Sequence, residues 1–148
     1  MKITIFGVGG IGGYLTGKLS SLFTGNHPQI ESLALVARGE HLKAIQKNGL
    51  KFIDVDGNPH VIEPTMATDD PGELPQADLV LLCVKGYDLV SAAEAIKTKV
   101  ASGGAVLPLL NGADIRERVK QQLPDTTVYP GTIYISSAIT EPGTVQHM

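Results

Sequence analysis

The stretch Lys2-Ile3-Thr4-Ile5-Phe6-Gly7-Val8-Gly9-Gly10-Ile11-Gly12 decides the fold. Ile3 to Phe6 reads as a short buried strand. Gly7 to Gly12 follows it at once as G-x-G-x-x-G. Gly10 to Leu22 continues as a helix, with Ile11, Leu15, Leu19 and Leu22 at helical spacing. In a strand–turn–helix unit each glycine has a task. Gly7 permits the tight turn out of the strand, Gly9 lets the main chain approach a pyrophosphate, and Gly12 lets the helix pack closely on the strands. Val8, Gly10 and Ile11 complete the loop. The free N–H groups and the dipole of the helix start then favour an anion. The hexapeptide alone is a weak signal, and its setting between a strand and an apolar helix gives it weight. The competing reading is a glycine turn that serves packing only.

Outward from this unit the chain alternates. Leu33–Ala37 reads as a second buried strand and 40–47 as a short helix. Leu50–Ile53 and His60–Ile62 flank Asp56-Gly57 as a hairpin, and 65–68 as a short strand. Leu79–Val84 is a near-continuous apolar run, as in a strand covered on both faces. A helix is expected over 87–100, with Val90, Ala93, Ile96 and Val100 on one side. A buried strand follows over 105–110, then a helix over 114–122 stopped by Pro124. Residues 127–135 and 139–146 read as extended, and 24–28 as a loop by its turn residues. Alternating strands and helices predict an α/β fold, a doubly wound, mainly parallel sheet of the Rossmann type in a single domain.

Composition narrows the function classes. The chain has 148 residues, 43% hydrophobic and 18% charged, which suits one globular domain. A net charge of −3 gives no electrostatic footprint for nucleic acid or an acidic membrane. Neither is expected as a partner. No apolar run approaches the ~18 residues of a membrane span, and no secretory leader is read at the start. The single cysteine, Cys83, excludes an internal disulfide and fits a reducing, cytoplasmic setting. His27, His41, His60 and His147 lack ligand spacing, so no metal site is expected.

The second strand bears on the cofactor. An acid at its end takes the ribose 2′-hydroxyl of NAD, whereas an arginine nearby accommodates the 2′-phosphate of NADP. Here the strand ends in Arg38, with Glu40 and Lys43 beyond it. The guanidinium offers a planar fork to a phosphate and stays charged, which favours NADP(H). The spacing from Gly12 to Arg38 is long, an excess attributed to the loop around Asn26-His27-Pro28. Lys85 follows the strand at 79–84, and Asn111-Gly112 follows that at 105–110. Ligands in open α/β sheets bind outside such strand ends, so both residues are candidates for the nicotinamide half of the cleft. Lys85 suits ribose or phosphate oxygens. Asn111 has a donor and an acceptor for cofactor and substrate. The bland alternatives are a solvated strand end for Lys85 and a helix cap for Asn111. Cys83 reads as core rather than nucleophile. Glu31, Asp69, Asp70 and Glu73 read as solvated loop charges.

These residues resemble a known family. Gly7-Val8-Gly9-Gly10-Ile11-Gly12-Gly13, Val36-Ala37-Arg38-Gly39-Glu40-His41-Leu42, Leu82-Cys83-Val84-Lys85, Leu110-Asn111-Gly112 and Glu141-Pro142-Gly143-Thr144-Val145-Gln146-His147 look like the N-terminal domain of the ketopantoate reductases, also called 2-dehydropantoate 2-reductases. The resemblance covers essentially the whole chain. It implies NADPH-dependent reduction of 2-dehydropantoate to (R)-pantoate in pantothenate biosynthesis. Gly7 to Gly12 would bind pyrophosphate, Arg38 the 2′-phosphate, Lys85 and Asn111 the ribose and nicotinamide side, with Asn111 also touching substrate. It implies too that the family's C-terminal helical domain, with the lysine that protonates the developing alkoxide, is absent. The 148 residues are then expected to hold NADP(H) with little or no turnover, and no catalytic residue is assigned within them. Another keto-acid or sugar-phosphate dehydrogenase of the same plan, or a non-enzymatic dinucleotide-sensing module, stays open. Oligomeric state is not legible.

Overall fold

A computed structural model of the chain describes residues 1–24 and 28–148. The expected loop at 24–28 therefore lies largely outside the described residues. In chain order the elements are β1 (Lys2–Phe6), α1 (Gly10–Phe23), β2 (Ser32–Val36), α2 (Gly39–Asn48), β3 (Leu50–Ile53), β4 (Pro59–Ile62) and β5 (Met66–Thr68). They continue with β6 (Ala77–Leu82), α3 (Leu89–Ala95), β7 (Val100–Pro108), α4 (Ile115–Gln122), β8 (Thr127–Val128), β9 (Ser137–Glu141) and β10 (Thr144–His147).

Six strands form one sheet in the order β5-β2-β1-β6-β7-β8, and every pairing within it is parallel. Numbered within that sheet the order is 3-2-1-4-5-6, the doubly wound arrangement, and the connections reverse direction between β1 and β6. Alternate residues of each central strand enter different cores. Ile3, Ile5, Leu33, Leu35 and Leu81 join the core on one face. Phe6, Ala34, Val36, Val80 and Leu82 join the core on the other, with Leu89, Ile96, Val106 and Val119. Burial on both faces explains why these strands read as continuous apolar runs.

A second sheet was not expected. The hairpin β3–β4 is extended by the C-terminal strands into the order β4-β3-β10-β9. β10 lies parallel to β3 and antiparallel to β9. Helix α1 contacts β1 of the large sheet and β3, β9 and β10 of the small one.

Four expectations are corrected. The side of α1 buried most deeply is not the leucine stripe but the small residues Gly12, Gly13 and Thr16, while Leu22 is 38% exposed. A Cβ on Gly17 would run into the Phe52 ring and one on Gly13 into Val145, so the helix needs a thin face to sit between two sheets. The helix expected over 87–100 is a 3₁₀ turn at 86–88 followed by α3, which ends at Ala95. Val100 opens β7 instead, and Val90 faces outward. The turn between them is stapled by Lys99, whose Nζ donates to the Gly72 and Leu74 carbonyls. The extended segment 127–135 pairs as a strand only over β8, and one further backbone bond, from the Tyr129 N–H to the Val106 carbonyl, continues it. Residues 139–146 are not one strand but a hairpin that turns at Pro142-Gly143, where Gly143 has φ +80°.

Candidate dinucleotide site

The glycine loop folds as its residues require. Gly7 sits at φ +98°, a region costly for any residue with a side chain. Its N–H and that of Val8 both donate to the Val36 carbonyl, at 3.1 and 2.9 Å, tying the loop to β2. A Cβ on Gly12 would strike the Gly7 carbonyl oxygen, whereas a Cβ on Gly9 would meet nothing within 4 Å. Gly12 thus serves packing, and Gly9 faces open space. Helix α1 starts there without a side-chain cap and with no acidic residue in its first turn. Its leading N–H groups keep their donor capacity for a ligand.

Two adjoining cavities run along the carboxyl ends of the parallel strands. One, of about 270 Å³, is lined by the loop, the end of β2 with Arg38, the His41 ring, and Cys83 to Lys85 with Asp88. The other, of about 210 Å³, is lined by Gly9, Gly10, Ile11, Cys83, Val84, Lys85, Leu110 and Asn111. They share Gly9 and the Cys83–Lys85 segment, so they form one two-lobed cleft with the glycine loop at its waist. A larger cavity of about 440 Å³ lies elsewhere, between the end of α2 and the entry to β5. It holds none of the expected site residues.

Eight of the nine expected residues therefore border one cleft: Gly7, Val8, Gly9, Gly10, Ile11, Arg38, Lys85 and Asn111. Gly12 does not line it and packs against the Gly7 carbonyl and Ile5 instead. Arg38 is 70% exposed along its side chain, and its Nη1 stands 3.6 Å from Asp88 Oδ2. Lys43 does not join it. Its Nζ pairs with Glu40 Oε1 at 2.6 Å, and that hydrogen bond raises the ammonium pKa. Asn111 does not cap a helix, because the residue preceding α4 is Asp114. Cys83 lies on the cleft wall, but burial pushes its thiol pKa up to about 12, so it is a poor nucleophile.

Three features escaped the sequence. His41, one turn into α2 from Arg38, contributes to the cleft wall, and that i,i+3 spacing was the available signal. Asp88 pairs with Arg38 across the first lobe. Ile139 reaches the cleft from the second sheet, and nothing local in the sequence announces that. Asp70 and Glu73 are also more than solvated charges. Asp70 Oδ1 accepts from the Gly72 N–H, and the Glu73 carboxylate accepts from the Thr68 hydroxyl. His60 and His147 belong to the second sheet. His60 pairs with Asp54, and His147 packs edge-on to Tyr14. His27 lies outside the described residues. Among those residues, no cluster of three or more His, Cys, Asp or Glu could hold a metal ion, and no helix is long and apolar enough to cross a membrane.

A parallel sheet in this order, with an uncapped glycine turn at its reversal point and a cleft along its strand ends, defines the Rossmann dinucleotide-fold class. The family model described as ketopantoate reductase PanE/ApbA matches residues 3–148, and the chain belongs to that family. A 2-dehydropantoate 2-reductase of Halobacterium salinarum is 35% identical over 99% of this chain and 46% of its own length. The crystal structure of the 2-dehydropantoate 2-reductase from Porphyromonas gingivalis W83 superposes with a TM-score of 0.89 at 36% identity, over 99% of this chain and 51% of that one. D-mandelate dehydrogenase, solved in a ternary complex with NADH and anilino(oxo)acetate, superposes with a TM-score of 0.83 at 25% identity. That match covers all of this chain and 45% of the other. The chain thus spans about half the length of the relatives it matches.

Proposed function

We propose that this chain is the NADP(H)-binding domain, residues 1–148, of a cytoplasmic 2-dehydropantoate 2-reductase, the enzyme that reduces 2-dehydropantoate to (R)-pantoate in pantothenate biosynthesis. The observation that carries the reading is the two-lobed cleft with Arg38 in one lobe, Asn111 in the other and Lys85 bordering both. The open space over Gly9 and the uncapped start of α1 fit a pyrophosphate at the waist. Arg38 takes the 2′-phosphate in exchange for its loose pairing with Asp88. Lys85 holds ribose or phosphate oxygens. Asn111 orients the nicotinamide ribose and the substrate's polar groups. The bound dinucleotide supplies the hydride; the chain's residues position it and screen it from water.

Calorimetric titration tests the cofactor. NADPH should bind more tightly than NADH, and Arg38→Ala should weaken NADPH by about 10- to 100-fold, the scale of a lost charge-assisted hydrogen bond, with little effect on NADH. Equal affinities in the parent protein overturn the NADP(H) assignment. A second reading is a keto-acid dehydrogenase using NADH. It is favoured by the likeness to D-mandelate dehydrogenase, solved with NADH, and by the Asp88 carboxylate beside Arg38. Tighter binding of NADH than NADPH would select it.

A further inference from the structure

His41 is held between two parts of the fold that lie far apart in sequence. Its Nδ1 accepts the Gly143 N–H at 2.9 Å, from the turn that joins β9 to β10. A nitrogen that accepts carries no proton, so the neutral ring has its proton on Nε2. That Nε2 is sealed from solvent and has no partner in hydrogen-bond geometry among the described residues. The backbone acceptor beside the ring is the Val8 carbonyl, which belongs to the glycine loop. The same peptide unit donates its Gly9 N–H to the Gly7 carbonyl at 2.9 Å. The ring thus stands between the phosphate-facing loop and the second sheet with one of its two bonds unmade.

We propose that His41 is a positioning residue for the dinucleotide: a neutral strut, fixed by Gly143, whose Nε2–H closes onto the Val8 carbonyl when the loop settles on the pyrophosphate. This rests on the cofactor reading above. It gives the β9–β10 hairpin a share in cofactor binding that Ile139 alone would not. Protonation breaks the strut, because Nδ1–H would then confront the Gly143 N–H, donor against donor. The other ionisable groups bordering this space are Arg38 on the segment leading into α2 and Cys83, Lys85 and Asp88 across the cleft. Glu141, in the hairpin, is engaged by the Thr144 hydroxyl. The influences that set the ring's proton affinity are burial, which lowers its pKa below 6.5, and the Val8 carbonyl, which opposes it. The strut is therefore intact at neutral pH and fails on acidification.

The sign of this effect separates it from a direct contact. A histidine touching the phosphates would become cationic in acid and bind the anion more tightly, whereas in the strut the ring released from Gly143 swings away from Val8 as well, and binding weakens. The experiment measures NADP⁺ dissociation constants for the parent chain and for His41→Asn from about pH 8 down through the pH at which the His41 ring itself is seen to protonate. The asparagine carbonyl can still accept from Gly143 and does not titrate. The cofactor's own 2′-phosphate, which titrates near pH ~6, acts equally on both proteins, so their ratio isolates the ring. The parent should lose about fivefold relative to the variant in acid, the scale of one neutral hydrogen bond. In the cofactor-free chain, the Gly143 amide resonance should titrate with the His41 ring at one shared midpoint below 6.5. Identical profiles, a ratio of the opposite sign, or a Gly143 amide indifferent to the ring's titration would each overturn the strut. Failure of NADP⁺ to bind at any pH would sink the cofactor reading, and the Gly143 titration would still decide the link between ring and hairpin.

Discussion

On the proposed cofactor reading, two glycines three residues apart separate ligand binding from folding. Gly9 has φ −93° and open space where a Cβ would stand. Gly9→Ala should therefore leave stability within about 0.5 kcal/mol of the parent. Yet it should weaken dinucleotide binding at least tenfold, because the methyl group occupies the approach to the pyrophosphate. Gly12→Ala should do the reverse in order of cause. Its Cβ would press on the Gly7 carbonyl and the Ile5 side chain, so unfolding should ease by about 2–3 kcal/mol, the scale of an overpacked core, with binding lost as a consequence. Urea unfolding and calorimetry on both variants check this, and a stable Gly12→Ala protein would contradict the packing role. Asp54 gives a pH-dependent case. Its carboxylate accepts the N–H groups of Asp56 and Asn58, and the backbone bond from Asn58 leads in holding its pKa down at about 2. Below the ordinary 3.8, such a shift stabilises the folded chain at any pH above that value, and the benefit is lost as pH falls toward 2. Asp54→Ala should thus be less stable than the parent at neutral pH, with the difference narrowing in strong acid.

Among the elements, β10 carries the most that the sequence could not show. Val145 is fully buried and fills the space left by the missing side chain of Gly13, so the last strand is built into the fold through α1. Val145→Ala should cost about 2 kcal/mol, measured by chemical denaturation. Removing β10 altogether should cost far more, since β3 and β9 would both lose their neighbour. The central strands and their parallel order were legible because two-sided burial writes itself as an unbroken apolar run. The cleft lining was legible where it follows closely on those strands: the glycine loop, Arg38, Lys85 and Asn111. The second sheet was not, because β10 pairs in parallel with β3 across some ninety residues, and no local pattern encodes a long-range partner. For the same reason Ile139 and the Gly143 bond to His41 stayed hidden. The thin face of α1 was legible only at Gly12, read as a close-packing position; the glycines at 13 and 17 gave no local sign that Val145 and Phe52 would seat against them.

At the scale of the whole molecule the question is what one half of the family's length can do. Reducing a ketone by hydride transfer requires a proton, or equivalent stabilisation, at the carbonyl oxygen. The ionisable groups bordering the cleft are few. Arg38 stays charged and pairs with Asp88 in the first lobe. The Cys83 thiol holds its proton up to about pH 12, too weak an acid for the task. His41 has one nitrogen bound to Gly143 and the other shut from solvent. Among the described residues Lys85 is the one cation bordering the second lobe, where on the proposed function it holds the cofactor. The 148 residues by themselves are therefore expected to bind NADPH while reducing 2-dehydropantoate at least ~100-fold more slowly than full-length relatives, the lower end of what a positioned general acid contributes. Stopped-assay measurement of pantoate formation, with cofactor saturation verified independently, decides it. Rates matching those of the full-length enzymes would mean that Lys85 delivers the proton. In that event Lys85→Met should abolish turnover with NADPH still bound, rather than simply raise the KM for NADPH.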